Sequence, residues 1–498
     1  MASAGVPPPR RSIATEEHRR AARLRTRRRN RVRALVAALV VVAVAAGLGA
    51  YQAGKGTTPA AGATPATPPT PVLSLRRIGP VLADRLAVAQ IRPVLDQFVT
   101  TAPANTCLSV QVGRRDIYEH NPDLPVGPAS TQKLVTATAL LDELGPKMTL
   151  RTSLKAQAKP GPDGTVAGDV WFVGGGDPLL ATGPYADHFY DQPQPHTSLE
   201  ALADALVASG VKRIDGRLLG DESQLDALRV VPSWSPRFTQ QHQLGPLSAL
   251  TVNDNVVNWP PKQLPLSPDG EGVADPPTFA ADQLAGLLRQ RGVEVASTGA
   301  GTAPPGATEL AGIDSLPMAG LVGEMLQESD NQTAEILVKV LGSRKGGAGT
   351  TAAGVTVLKQ AAVRLGLPAQ GLGPVDGSGL DDANRQTCRI LADALADTPE
   401  SELVGFLLAT AGRTGTLTTR FKGSAVDGRL RAKTGSLNNV SALAGILPTA
   451  RGAVVSFAFV QNGSDTRPAL QEDLARLLDG YPAPGLPTAE QLGPQPTR

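Results

Sequence analysis

Cysteine, histidine and aromatic residues are scarce in this 498-residue chain, and each shortage narrows what it can do. Its two cysteines, Cys107 and Cys388, allow at most one intramolecular disulfide. Five histidines (His18, His120, His188, His196 and His242) show no metal-ligand spacing, and no His-Glu-x-x-His occurs, so neither a metal nor another cofactor is expected. Aromatics make up 3% of residues against 41% hydrophobic overall, so the cores must be mainly aliphatic. Gly174–Gly176 is not followed by Gly-Lys-Ser/Thr, which makes it a turn rather than a phosphate loop. Internal repeats are also missing. The length predicts two to four domains.

A net basic charge is missing from most of the chain as well. The net charge is +3, but residues 1–33 hold eleven arginines against two glutamates, a local +9. The rest has 37 Lys+Arg against 43 Asp+Glu, or −6. A nucleic-acid-binding body is therefore not expected, because phosphate recognition needs a basic surface. The one long apolar run, Ala34–Ala50 extended to Tyr51, follows the basic end directly. It predicts a transmembrane helix over 34–51 with residues 1–33 as a cytoplasmic tail and the body outside the cytoplasmic membrane. Cleavage near Gly47–Ala50 would instead secrete the body. No cysteine follows the run, which argues against a lipid-modified N-terminus. Residues 52–76, rich in Pro, Thr and Ala, form an extended linker, and 486–498 a flexible tail.

The body predicts helices at Gly79–Val99, Ser130–Leu144, Leu316–Leu341 and Leu470–Leu478. Strands are expected at Thr106–Val112, Asp116–His120, Gly428–Thr434, Ser441–Leu447 and Ala453–Val460, the last two forming a hairpin through Thr449–Gly452. Strands at both ends with helices between fit an α+β sheet domain over 77–146 and 306–485. Residues 147–305, with short strands, turns and helices, form a mixed α/β insertion.

Three short motifs carry chemistry. Ser130-Thr-Gln-Lys133 opens a predicted helix, and the i, i+3 spacing places a hydroxyl and an amine on one face. A desolvated lysine can act as the base that activates a serine. Ser329-Asp330-Asn331 supplies a second hydroxyl and an amide. Lys433-Thr434-Gly435, followed by Ser436, places a lysine and a close-approach glycine in a strand. A second Ser-x-x-Lys, Ser209-Gly-Val-Lys212, contains a glycine and precedes a strand, and is read as a loop.

These motifs, in this order, resemble the penicillin-binding proteins of the D-alanyl-D-alanine carboxypeptidase/endopeptidase type with an inserted domain. Gly174–Leu179, Asn253–Asn255, Asp376–Leu380, Asn384-Arg385 and Gly412–Leu417 add to the likeness, and the long gap between Ser130 and Ser329 leaves room for the insertion. Where the family continues Asp-Gly-Ser-Gly-Leu with a serine, this chain has Asp381. The resemblance implies a β-lactamase/transpeptidase-like fold and hydrolysis of peptidoglycan stem peptides through an ester on Ser130. Lys133 would be the base, and Ser329 would pass a proton to the leaving amine. Asn331 would orient Lys133 and the substrate amide, and Lys433 and Thr434 would hold the terminal carboxylate. The backbone N–H groups of Ser130 and Ser436 would form the oxyanion hole, and β-lactams would be covalent inhibitors. Two other readings stay open: a β-lactamase-like hydrolase and a non-catalytic sensor of cell-wall fragments or drugs. An exported body would let Cys107 and Cys388 pair, and the sequence alone does not show whether they meet.

Overall fold

The computed structural model describes residues 75–189, 193–259 and 270–482. The predicted cytoplasmic tail, the transmembrane segment 34–51, nearly all of the linker and the tail 486–498 lie outside the described residues. Among the described residues no helix is long and apolar enough to cross a membrane.

Along the chain come helix α1 (Leu75–Val99), strands β1 (Asn105–Val112) and β2 (Arg115–His120), and helix α2 (Gln132–Leu144). The insertion contributes β3 (Arg151–Ala156), β4 (Val170–Val173), α3 (Leu199–Ala208), β5 (Arg213–Asp221), α4 (Pro276–Gln290), β6 (Glu294–Ala300) and β7 (Thr308–Asp314). Then follow α5 (Met318–Gln327), α6 (Asn331–Lys345), α7 (Thr351–Arg364), α8 (Cys388–Ala396) and α9 (Ser401–Leu407). The chain closes with β8 (Arg431–Leu437), β9 (Val440–Pro448), β10 (Val454–Asn462) and α10 (Leu470–Asp479).

The main sheet is antiparallel and runs β8-β9-β10-β1-β2, with Ala409–Thr410 pairing on the outer edge of β8. Its two faces bury different side chains, as the two-residue period of a strand dictates. Val455, Phe457 and Phe459 of β10 meet Ile91, Leu95 and Phe98 of α1 and Leu474 and Leu478 of α10. Ala458 and Val460 face the other way, into a core shared with α2, α5, α6, α7 and α8. Small residues on that face let the helices come close to the sheet. Every residue of α2 from Gln132 to Leu141 is buried, so this helix is enclosed on all sides. Gly145, with φ 81°, ends it before Pro146.

The insertion builds a second, mixed sheet ordered β6-β5-β4-β3-β7, its parallel members joined through α3 and α4. The sheet continues to Asp314 rather than stopping at 305, because β7 returns antiparallel onto β3.

Three expected elements differ in detail. The helix expected over 316–341 is broken at 328–330, where Ser329 takes a left-handed φ of 64° and Asp330 caps α6 by accepting from the Thr333 N–H at 2.9 Å. The strand expected over 428–434 begins at Arg431 and runs to Leu437, because Gly428 takes φ 71° in the preceding turn. The first helix starts at Leu75, inside the segment expected to be linker.

Cys107 of β1 and Cys388, the first residue of α8, are disulfide-bonded and fully buried. The bond joins residues separated by 281 positions in the chain, so it removes much freedom from the unfolded chain. Replacing both cysteines by serine should lower unfolding free energy by up to about 5 kcal/mol. Denaturant midpoints of the oxidised protein and the double variant check this; equal midpoints would contradict it.

Candidate active site

Ser130 is the middle residue of a single 3-10 turn, Ala129–Thr131, that leads into α2, and it is half-buried. Ala129 before it is held at φ 46°, a conformation unusual for a residue with a Cβ. Two glycines explain how the turn is held there. A methyl on Gly379 would lie 1.9 Å from the Ala129 carbonyl oxygen. One on Gly435 would lie 2.8 Å from the Pro128 carbonyl oxygen and 3.2 Å from the Thr131 nitrogen. The 376–380 loop and strand β8 thus press backbone to backbone on the turn from two directions, an approach only glycine allows.

Lys133 is the second residue of α2 and is fully buried. Its Nζ donates to three oxygens: Asn331 Oδ1 at 2.7 Å, the Ser378 carbonyl at 2.9 Å and Ser130 Oγ at 3.0 Å. Two of these are pure acceptors. A neutral amine that gives its two hydrogens to Asn331 and Ser378 has its lone pair left for the Ser130 hydroxyl proton. Burial lowers the Lys133 pKa to about 8, opposed by the nearby carboxyl groups of Asp330, Glu335, Asp376 and Glu324. At that value both forms are populated near neutrality, as a general base requires.

Asn331 begins α6 and faces Lys133 in one orientation only. Its Nδ2 donates to the Gln243 carbonyl at 2.9 Å, which leaves Oδ1 for the lysine. Gln243 belongs to a loop of the insertion closed by the Leu247 N–H donating to the Arg229 carbonyl at 2.9 Å. The same loop donates from Trp234 Nε1 to Asp376 Oδ2 at 2.8 Å and from Ser233 Oγ to Asp381 Oδ2 at 2.5 Å. Asp381, which departs from the family pattern, therefore anchors the insertion's loop to the site.

The second half of the site centres on Lys433, also fully buried. It donates to Ser329 Oγ at 2.8 Å and to the Thr434 carbonyl at 2.9 Å. Burial holds its ammonium well below the usual lysine range, and the charge of Lys133 adds to this. Both of these hydrogen-bond partners are neutral, so an arriving anion would restore the charge on Lys433. Gly435 follows against the Ser130 turn, and Ser436 is exposed at the mouth.

The structure thus joins Ser130, Lys133 and Asn331 directly, and Lys433 to Ser329. Ser209 and Lys212 are elsewhere: Ser209 ends α3 by donating to the Leu206 carbonyl at 2.7 Å, and Lys212 leads into β5. No group of three metal-ligating side chains occurs among the described residues. Sequence reasoning named the Asp376–Leu380 stretch but gave no role to the Ser378 carbonyl or to the acids behind it. Asp376 accepts from the N–H groups of Gly379 and Asp381 at 2.8 and 2.7 Å, from Trp234 and from Asn384 Nδ2 at 2.9 Å, which shapes the loop. Two glycines around a serine were the available signal.

Comparison with known proteins gives the same picture. The profile of the family described as D-Ala-D-Ala carboxypeptidase 3 (S13) matches residues 101–263 and 260–481. A carboxypeptidase DacB of Mycolicibacterium smegmatis is 30% identical over 427 residues, covering 81% of this chain and 87% of the relative. A D-alanyl-D-alanine carboxypeptidase of Actinomadura sp. strain R39 is 29% identical over 442 residues, covering 74% and 79%. The crystal structure of penicillin binding protein 4 from Haemophilus influenzae superposes with a TM-score of 0.64 at 21% identity, over 78% of this chain and 99% of that one. At that identity the likeness concerns the fold alone.

Substituting Gly379→Ala should force the Ser130 turn and the 376–380 loop apart, costing roughly 3 kcal/mol of stability. A thermal melt unchanged from the parent would contradict the close approach.

Proposed function

The chain belongs to the D-Ala-D-Ala carboxypeptidase 3 (S13) family, a family of serine-type hydrolases, and we propose that Ser130 is its nucleophile, activated by Lys133. The observation that carries this reading is the three-way contact of Lys133 Nζ with Ser130 Oγ, Asn331 Oδ1 and the Ser378 carbonyl.

Ser130 Oγ attacks the carbonyl carbon between the two D-alanines of a peptidoglycan stem peptide while its proton passes to Lys133. The oxyanion that forms is met by the backbone N–H groups of Ser130 and Ser436, on the two elements that Gly435 brings together. The terminal carboxylate pairs with Lys433, which otherwise meets only a hydroxyl and a carbonyl, and Thr434 adds a hydroxyl contact. Ser329, bonded to Lys433, passes a proton to the departing amine, the C–N bond breaks, and D-alanine leaves. Water then attacks the Ser130 ester and frees the enzyme.

The same acyl-enzyme serves cross-link cleavage when the leaving amine belongs to a neighbouring stem peptide. A β-lactam ring opened by Ser130 gives the same ester with its leaving group still tethered. The +9 end and the apolar run 34–51 support a body held at the outer face of the cytoplasmic membrane, where this substrate lies.

Ser130→Ala should abolish covalent labelling by a fluorescent penicillin and lower D-alanine release at least about a thousandfold, whereas Ser209→Ala should keep both. Labelling that survived in Ser130→Ala would overturn the assignment, and rapid loss of the label by turnover would favour a β-lactamase-like hydrolase. The free amine of Lys133 is the base, and it is the form present above its pKa. The acylation rate should therefore climb with pH, about tenfold per unit below 8, and level off above it. Stopped-flow labelling from pH 6 to 9 measures that limb.

A further inference from the structure

Glu335 lies one helical turn beyond Asn331 on α6, so both side chains leave the helix on the same face. Asn331 reaches Lys133 directly, and Glu335 reaches it through a peptide group. Glu335 Oε1 accepts the N–H of Gly377 at 3.0 Å and that of Ser378 at 2.7 Å. The carbonyl of Ser378 accepts from Lys133, and the carbonyl of Gly377 accepts from Thr136 Oγ1 at 2.8 Å. Thr136 and Lys133 are neighbours on α2, so the loop is fastened to α6 by its N–H groups and to α2 by its carbonyls. Gly377 permits this, since a methyl there would lie 2.5 Å from Val338 Cγ2 and 2.9 Å from the Ala334 carbonyl oxygen. Glu335 is fully buried, and Ser378 meets its carboxyl group with its side chain as well as its N–H.

Resting on the reading of Ser130 and Lys133 given above, we propose that Glu335 is a positioning residue for the acylation step. Its carboxylate aims the Ser378 carbonyl at Lys133 and serves as the counter-charge when the lysine takes the serine proton. No bond to Glu335 forms or breaks: the proton moves from Ser130 Oγ to Lys133 Nζ, and Glu335 acts through the clamped peptide and through space. The clamp makes the lysine lone pair available in one direction. The charge raises the basicity of Lys133, which burial lowers; Asp330, Asp376 and Glu324 act in the same sense from the α6 cap, the loop and α5. Lys433, on β8, is the facing cation. Burial and Asp376 in turn raise the Glu335 carboxyl while Lys133 lowers it, so the two groups ionise as a linked pair, each charge favouring the other.

Two substitutions separate the clamp from the charge. Glu335→Gln keeps an oxygen for both N–H groups and removes the charge. Lys133 should then lose its proton at lower pH and be a weaker base. The acid limb of penicillin acylation should move down by about one unit, and the plateau rate should fall about tenfold. Thr136→Val keeps the shape and the charge but releases the Gly377 carbonyl. It should lower the plateau about threefold to tenfold without moving the limb. A merely structural Glu335 would change melting temperature and leave the limb in place. An unmoved limb in folded Glu335→Gln, or parental kinetics in Thr136→Val, would overturn the proposal. Should Glu335→Gln not fold, Thr136→Val and the aspartate variant, which keeps the charge on a shorter arm, decide it: a lowered plateau on an unmoved limb supports the clamp. Ser130→Ala run alongside reads the underlying assignment: if it still labels, the nucleophile is wrong, and if it does not, only the role of Glu335 is at stake.

Discussion

Lys133 is held out of water between two carbonyl-type oxygens and a serine hydroxyl, and the architecture around it serves to keep it there. An amine in bulk water is protonated at neutral pH and useless as a base. Removing solvent lowers its pKa to about 8, and surrounding it with acids stops the fall at that point. The balance needs a helix enclosed on all sides, which α2 is. It also needs acceptors that cannot swing away: a side-chain amide fixed by the Gln243 carbonyl and a backbone carbonyl fixed by a loop. A lysine donating to water in place of either would be an ordinary cation.

The insertion takes part in this arrangement. Its 229–247 loop touches the site at Asn331, Asp376 and Asp381, each contact a hydrogen bond to a residue that orients something else. A separate sheet with its own aliphatic core thereby gives the loop a rigid base. Side chains at the Lys133 site are thus oriented by hydrogen bonds from the insertion.

Much of this was legible in the sequence, for a physical reason. Residues that do chemistry with side chains at short spacing, such as Ser130 with Lys133 and Ser329 with Asn331, announce themselves, as do the glycines that let backbones touch. Strands of the main sheet were readable from their period. The Ser378 carbonyl was not, because every residue has a carbonyl and only the fold selects one. Glu335 was hidden by its position: a glutamate at mid-helix reads as a solvent-facing residue, and its burial is decided by a loop more than forty positions later. The break between α5 and α6 did leave a mark, the polar run 327–333 with Asp330 as a capping residue, but the left-handed φ of Ser329 inside it left none.

Strand order carries a last consequence. β1, near the start of the described chain, pairs along its whole length with β10, Asn105 opposite Asn462. A polypeptide emerging from a ribosome or a translocation pore N-terminus first has no partner for that edge of β1 until some 350 residues have followed it. The insertion has an aliphatic core of its own, but the Ser130 turn has neither β8 nor the 376–380 loop against it. The contacts that hold the Ser130 turn are therefore among the last in chain order to become available.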